Sequence, residues 1–255
     1  MPKIVVFDSG LGSLSIINGL QSVMYAEIVY FADQKHFPYG TKSRHKLHSL
    51  MNHTILMLQD MFTPDVIIIG SNTPSLLFPD ILCDNIHGVL PPIINADESS
   101  KTKNIAIMAT HSVINGVEIK EFLNNFKLNS TVQLIDASVL IDLVESGDFL
   151  YDITKCKKII HDTIHDIITS NNIDVVTLSS THLPFLSTLL HEIFPNVIFL
   201  DPAITIAQKI KKQYGNSVNA TLDIYTSGDP KSFDKILSGL GVKTTSSFLP
   251  FDIRD

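Results

Sequence analysis

Short runs of β-branched and other apolar residues alternate along most of the chain with longer amphipathic stretches, the pattern of βα units feeding a largely parallel sheet. Strands are predicted at residues 4–7, 27–31, 65–69, 105–108, 131–135, 174–178 and 197–200, with a further strand-like run at 222–226. The runs are nearly continuous in apolar residues, which predicts sheets covered on both faces. Helical periodicity is clearest over residues 14–20, 47–61, 114–126 and 156–168.

The same pattern is written twice. Asp65-Val-Ile-Ile-Ile-Gly-Ser71-Asn72-Thr73 and Asp174-Val-Val-Thr-Leu-Ser-Ser180-Thr181-His182 share an Asp, an apolar run, a small residue, a Ser and two polar residues, a little over one hundred residues apart. The runs ending in Asp8-Ser9 and Ala109-Thr110 repeat the strand-then-polar-turn pattern, and those ending in Ala32-Asp33 and Asp136-Ala137 fall between them in the same order. Three matched elements in order point to two similar lobes. Chance strand-like runs in any α/β chain give the pattern equally well. The Pro91-Pro92 pair and the polar stretch 98–103 mark a boundary. The chain therefore divides into a first α/β lobe of residues 1–95 plus 205–255 and a second of residues 96–204. The expected fold is α/β, with two pseudo-symmetric lobes, each a mostly parallel sheet flanked by helices. The expected site is the cleft between them, since ligands of open α/β sheets bind outside the carboxyl ends of the strands.

Composition narrows the function. With 255 residues, 44% hydrophobic and 18% charged, the chain builds its own core without disulfides or metal as staples. The longest apolar runs, such as Val66-Ile67-Ile68-Ile69, are strand-sized, so no membrane span is expected. Met1 to Asp8 carries a carboxylate where an export signal would stay apolar, which predicts a cytoplasmic protein. A net charge of -7 without a basic run argues against nucleic acid as partner. Cys83 and Cys156 are too few and too isolated for a disulfide framework or a zinc knuckle, and are expected to be buried or half-buried thiols.

Several constellations have a bland reading beside the chemical one. Asp8-Ser9-Gly10-Leu11-Gly12-Ser13 follows a strand and opens a helix, so its amides suit an anion. As a dinucleotide fingerprint it lacks the third glycine, and for Asp8 alone a helix cap is the favoured reading. His161-Asp-Thr-Ile-His165 has the spacing of a zinc-protease helix, but the Asp is short for a base and a polar helix face explains it. His45, His48 and His53 read the same way, and no metal is expected. Ser71 and Ser180 are nucleophile or base candidates, with His182 beside Ser180 as an acid/base near neutral pH. A lone Ser at such a junction more often caps a helix; the twin placement lifts these two above that.

Val6-Phe7-Asp8-Ser9-Gly10-Leu11-Gly12, Phe37-Pro38-Tyr39-Gly40, Gly70-Ser71-Asn72-Thr73, Leu143-Val144-Glu145-Ser146-Gly147 and Ser179-Ser180-Thr181-His182 resemble the glutamate racemase family, as do Asp201-Pro202 and Thr226-Ser227-Gly228-Asp229. The resemblance runs over most of the chain. It implies a cofactor-independent isomerase of the aspartate/glutamate racemase superfamily, a homodimer acting on a small acidic amino acid, and a place in peptidoglycan biosynthesis. In that family two cysteines flank the substrate α-carbon, one taking the proton and the other donating to the opposite face. Here Ser71 and Ser180 stand at those positions. The resemblance further implies that Asp8 and Ser9 meet the amino group and Pro38-Tyr39-Gly40 the side-chain carboxylate. Asn72, Thr73, Thr110 and Thr181 would hold the α-carboxylate, with His182 and Glu145 assisting the bases or binding the amino group.

The departure is large. A thiol titrates near ~8.5 and a hydroxyl near ~15.7, a gap of about seven pH units or on the order of 10 kcal/mol per base. The family's two-thiol racemisation is therefore closed to this sequence. Pro74 and Leu183 depart from the family's usual small and aromatic residues, which fits natural divergence better than deliberate substitution. Three expectations follow: α-proton transfer with Ser180 and His182 on one face and Ser71 and Asp8 on the other; an acidic amino-acid binding or regulatory protein without turnover; or a divergent small-acid lyase or hydrolase using Ser180.

Overall fold

The computed structural model describes residues 2–251. In chain order its elements are β1 (Lys3–Asp8), α1 (Ser13–Val23), β2 (Glu27–Ala32), α2 (Arg44–Phe62), β3 (Val66–Ile69), α3 (Asn72–Leu77), β4 (Ile86–Gly88), α4 (Ile93–Ser99), β5 (Asn104–Ala109), α5 (His111–Asn115), α6 (Val117–Asn124), β6 (Thr131–Asp136), α7 (Ser138–Glu145), α8 (Ile153–Ser170), β7 (Val175–Leu178), α9 (Ser187–Ile193), β8 (Ile198–Leu200), α10 (Pro202–Tyr214), β9 (Thr221–Thr226), α11 (Pro230–Gly239) and β10 (Ser246–Phe248). The chain divides into two compact units, Met1–Val89 with Ala203–Asp255, and Leu90–Pro202. The sequence put these divisions at 95/96 and 204/205. The first falls earlier because Pro92 takes the N-cap position of α4, so the proline pair opens that helix and α4 lies whole in the second unit.

The first unit is a six-stranded parallel sheet in the order β10-β9-β2-β1-β3-β4. The returning tail joins it as the sequence expects, β9 pairing with β2 from Glu27–Thr221 to Ala32–Thr226. Ile4 to Phe7 and Val66 to Ile69 are buried, matching their unbroken apolar runs. Helix α2 covers the sheet with Leu47, Leu50, Met51, Ile55 and Leu58, one stripe at helical spacing. Its start is set by the Ser43 hydroxyl, which accepts from the Lys46 amide, and its end by Thr63 in the left-handed region at φ 43°.

The second unit is a four-stranded parallel sheet in the order β6-β5-β7-β8. Taken by succession along the chain, this is the order β2-β1-β3-β4 of the first unit, so the repeat in the sequence is also a repeat of topology. Ile105 to Ala109 on β5 are fully buried, and α8 packs with Cys156, Ile160, Ile164 and Ile168 in one line. Strand β6, at the sheet edge, is only half covered, short of the expectation that both faces be buried. The helix expected over 114–126 is two, α5 and α6, because Gly116 between them is extended at φ -72° and ψ 157°.

His161 and His165 stack at 4.2 Å outside the buried stripe of α8, as a polar helix face predicts. Cys156 is buried, and burial pushes its thiol up, with the Asp152 and Asp148 charges adding. Cys83 is exposed, against expectation, because it lies in a turn closed by its bridge to Ile86 at the start of the edge strand β4.

His87 on β4 is buried and its Nε2 has no hydrogen-bond partner. Burial first, then the charge of Lys209, lowers its pKa, against a smaller opposing effect of Asp84. A folded-state pKa below the unfolded one means that the unfolded chain takes the proton first as pH falls. Stability is therefore expected to fall from about pH 6.5 downward and to level off once the folded state protonates too. Thermal melts at pH 7.5 and 5.5 check this: His87→Leu should flatten that part of the pH dependence, and an unchanged slope overturns it.

Candidate functional site

The candidate residues lie at the carboxyl ends of strands in both units, where open α/β sheets present loops to ligands. In the first unit β1 ends in Asp8, 1% exposed, whose Oδ1 accepts from the Ser9 amide at 2.6 Å and faces the Ser9 hydroxyl at 3.5 Å. The helix-cap reading of Asp8 does not hold. Gly12, not Asp8, occupies the N-cap of α1, with the loop from Ser9 to Gly12 between the strand end and the helix. Asp8 is thus a buried carboxylate at a strand end, held by the following turn.

Ser71 occupies the N-cap of α3 without capping it, since its side chain makes no cap hydrogen bond. Its carbonyl accepts from the Ser75 hydroxyl at 2.6 Å and from the Ser75 amide at 3.4 Å. Gly70 before it lets the chain pass close: a Cβ there would stand 1.8 Å from the Ser13 Oγ, which donates to the Gly70 carbonyl. Asn72 is 3% exposed; its Nδ2 donates to the Val89 carbonyl at 3.0 Å, while its Oδ1 is buried without a partner. Such an orphaned acceptor is costly unless a ligand donor meets it. Thr73 is buried beside it. Pro38 and Gly40 flank Tyr39 in a short 3-10 turn. The Tyr39 phenol, 2% exposed, donates to Asp33 at 3.2 Å. Burial raises its pKa well above the ordinary value, with the Asp33 and Asp8 charges adding, so it stays a neutral donor.

In the second unit Thr110 follows β5 and caps α5, its Oγ1 accepting from the Val113 amide at 3.4 Å and meeting the Ser112 hydroxyl at 3.1 Å. That is the bland role the sequence weighed for such residues, and it leaves the Thr110 side chain partly committed. Ser180, Thr181 and His182 follow β7 and are all buried. His182 holds the N-cap position of the 3-10 turn Leu183–Leu186 without a side-chain cap bond. Its Nε2 lies 2.8 Å from Oε2 of Glu145, the last residue of α7, with side-chain exposures of 6% and 15%. The structure thus brings together two residues that lie apart in the sequence. A carboxylate on one imidazole nitrogen fixes the tautomer and makes the other nitrogen a better base.

Parallel sheets that present polar residues at the carboxyl ends of their strands define an α/β protein with the ligand-binding arrangement of open sheets. The glutamate racemase of Buchnera aphidicola subsp. Schizaphis graminum is 31% identical over 218 residues, 82% of this chain and 84% of that one. The chain belongs to the glutamate racemase family. A glutamate racemase isoform from Bacillus anthracis shares the fold, with a TM-score of 0.85 at 20% identity over 98% of this chain and 99% of that one. So does the glutamate racemase of Francisella tularensis subsp. tularensis solved in complex with D-glutamate, with a TM-score of 0.80 at 23% identity over 97% of each chain. No protein-family model matches the chain.

Proposed function

We propose that this protein binds an acidic amino acid, glutamate or aspartate, and moves its α-proton without a cofactor, with serine in place of both family thiols. The buried His182–Glu145 pair carries the reading: it sets an imidazole held by a carboxylate one residue beyond Thr181 and two beyond Ser180. On one face of the α-carbon Ser180 passes the proton to His182, as a hydroxyl and imidazole share one; on the other, Ser71 works with Asp8. Ser9 and Asp8 take the ammonium group, and Pro38-Tyr39-Gly40 the side-chain carboxylate. Thr73, Thr110 and Thr181 hold the α-carboxylate. The Asn72 side chain does not suit that part, since its Nδ2 is engaged by the Val89 carbonyl and its orphaned Oδ1 is an acceptor, which favours an ammonium or hydroxyl donor. Among the described residues no helix is long and apolar enough to cross a membrane. The same reading makes the protein a cytoplasmic homodimer supplying peptidoglycan synthesis.

Proton NMR in deuterium oxide tests this on L- and D-glutamate and L- and D-aspartate. Loss of the α-proton signal from at least one of them is the expected result. No exchange together with clear heat of binding by calorimetry turns the protein into an acidic amino-acid binding module, the reading favoured by the loss of both thiols. Neither exchange nor heat overturns both, leaving small-acid cleavage by Ser180 to be assayed.

A further inference from the structure

Asp33, directly after β2, is a fully buried carboxylate at the same sheet end as Asp8 and Ser71. A carboxylate with no exposure is held only where donors surround it. Three side chains do so: the His36 Nδ1 at 2.8 Å and 2.9 Å from its two oxygens, the Tyr39 hydroxyl at 3.2 Å and the Ser227 hydroxyl at 2.9 Å. Its own amide donates to the Asp8 carbonyl at 2.7 Å. Ser227 in turn accepts from the Lys35 amide at 3.1 Å, and its neighbour Thr226 donates to Gln34 Oε1 at 2.8 Å. Asp33 therefore ties the β1 terminus by its amide, and the segment carrying Pro38-Tyr39-Gly40 and the turn after β9 by its carboxylate.

We propose that Asp33 is a positioning residue for the ligand's side-chain end, acting through Tyr39. The inference rests on the acidic amino-acid reading above for its ligand and on these hydrogen bonds for its mechanism. Tyr39 is too buried to find water, so without Asp33 its hydroxyl must move or stay unpaired, and its turn moves with it. The corresponding position after β6 in the second unit is Ala137, so the repeat does not supply a second copy of this device.

A double-mutant cycle tests the proposal, with glutamate binding followed by calorimetry for the unmodified chain, Asp33→Asn, Tyr39→Phe and the pair. Asp33→Asn is expected to weaken binding roughly tenfold. The same change in the Tyr39→Phe background should cost less than about twofold, because residues acting as one unit are non-additive. α-Proton exchange at saturating ligand should change little between Asp33→Asn and the unmodified chain. A general structural role predicts additive losses together with a lowered melting temperature, and that result overturns the proposal, as does unchanged binding in Asp33→Asn. Tyrosinate absorbance, with Tyr39→Phe as the blank, separates the two levels. In Asp33→Asn the Tyr39 phenol should ionise at lower pH than in the unmodified chain, whether or not glutamate binds. A shifted phenol with no glutamate binding by the unmodified chain removes the ligand reading and the ligand role of Asp33 with it; an unshifted phenol removes the Asp33–Tyr39 coupling itself.

Discussion

Ser71→Cys/Ser180→Cys is expected to exchange the α-proton of glutamate about 10³-fold faster than the unmodified chain. A thiol near ~8.5 is a few per cent thiolate at neutral pH, whereas a hydroxyl near ~15.7 must borrow its basicity from a neighbour throughout the reaction. A well-placed acid/base group contributes about 10²–10⁴, and two groups serving one step do not multiply freely, which sets the figure. The substitutions disturb little else. Ser71 caps no helix with its side chain, so no cap is lost, and the volume change is small enough to cost about 1.5 kcal/mol or less. The single variants are informative because each restores one face: Ser71→Cys and Ser180→Cys should accelerate exchange from opposite enantiomers. If the double variant is no faster than its parent, Ser71 and Ser180 do not stand at the family's thiol positions.

What the sequence makes legible follows from how local each cause is. The strands β1, β3, β5 and β7 are visible because burial on both faces requires apolar runs without gaps, and residues directly after such runs in a parallel sheet fall at its ligand-binding end. That places Asp8, Ser71, Thr110 and Ser180 from sequence alone. Helices α10 and α11 escape notice because they open at Pro202 and Pro230, and a proline read as a breaker is also a good first residue of a helix. Strands β4 and β10, three residues each, are too short to show a period. Asp8 is not the cap that its local pattern suggests, since four loop residues separate the strand end from the helix and Gly12 takes the N-cap. Long-range pairings are invisible in principle. Asp33 is unremarkable until the chain returns to set Ser227 against it, and nothing in the spacing of Glu145 and His182 shows that they meet at 2.8 Å.

Glu145→Gln tests the second of those pairings, and its expected signature is asymmetry. The amide keeps the shape of the carboxylate and its oxygen still accepts from His182 Nε2, so the ring stays in place while the charge is lost. What disappears is stabilisation of the imidazolium formed when His182 takes a proton, which at exposures of 6% and 15% is poorly replaced by water. Exchange is expected to fall about 10²-fold or more for one enantiomer, and less than about threefold for the other, whose proton leaves towards Ser71 and Asp8. Binding of glutamate should weaken little, since the loss falls on the charged intermediate state and not on the resting complex. Rates measured separately from L- and D-glutamate in deuterium oxide decide the matter. An equal fall for both enantiomers makes Glu145 a binding group for the amino acid, and no fall removes His182 from the proton path. The asymmetric result identifies the two halves as chemically unequal: a repeated fold carries an imidazole–carboxylate pair after β7, where after β3 it offers a hydroxyl that must rely on Asp8.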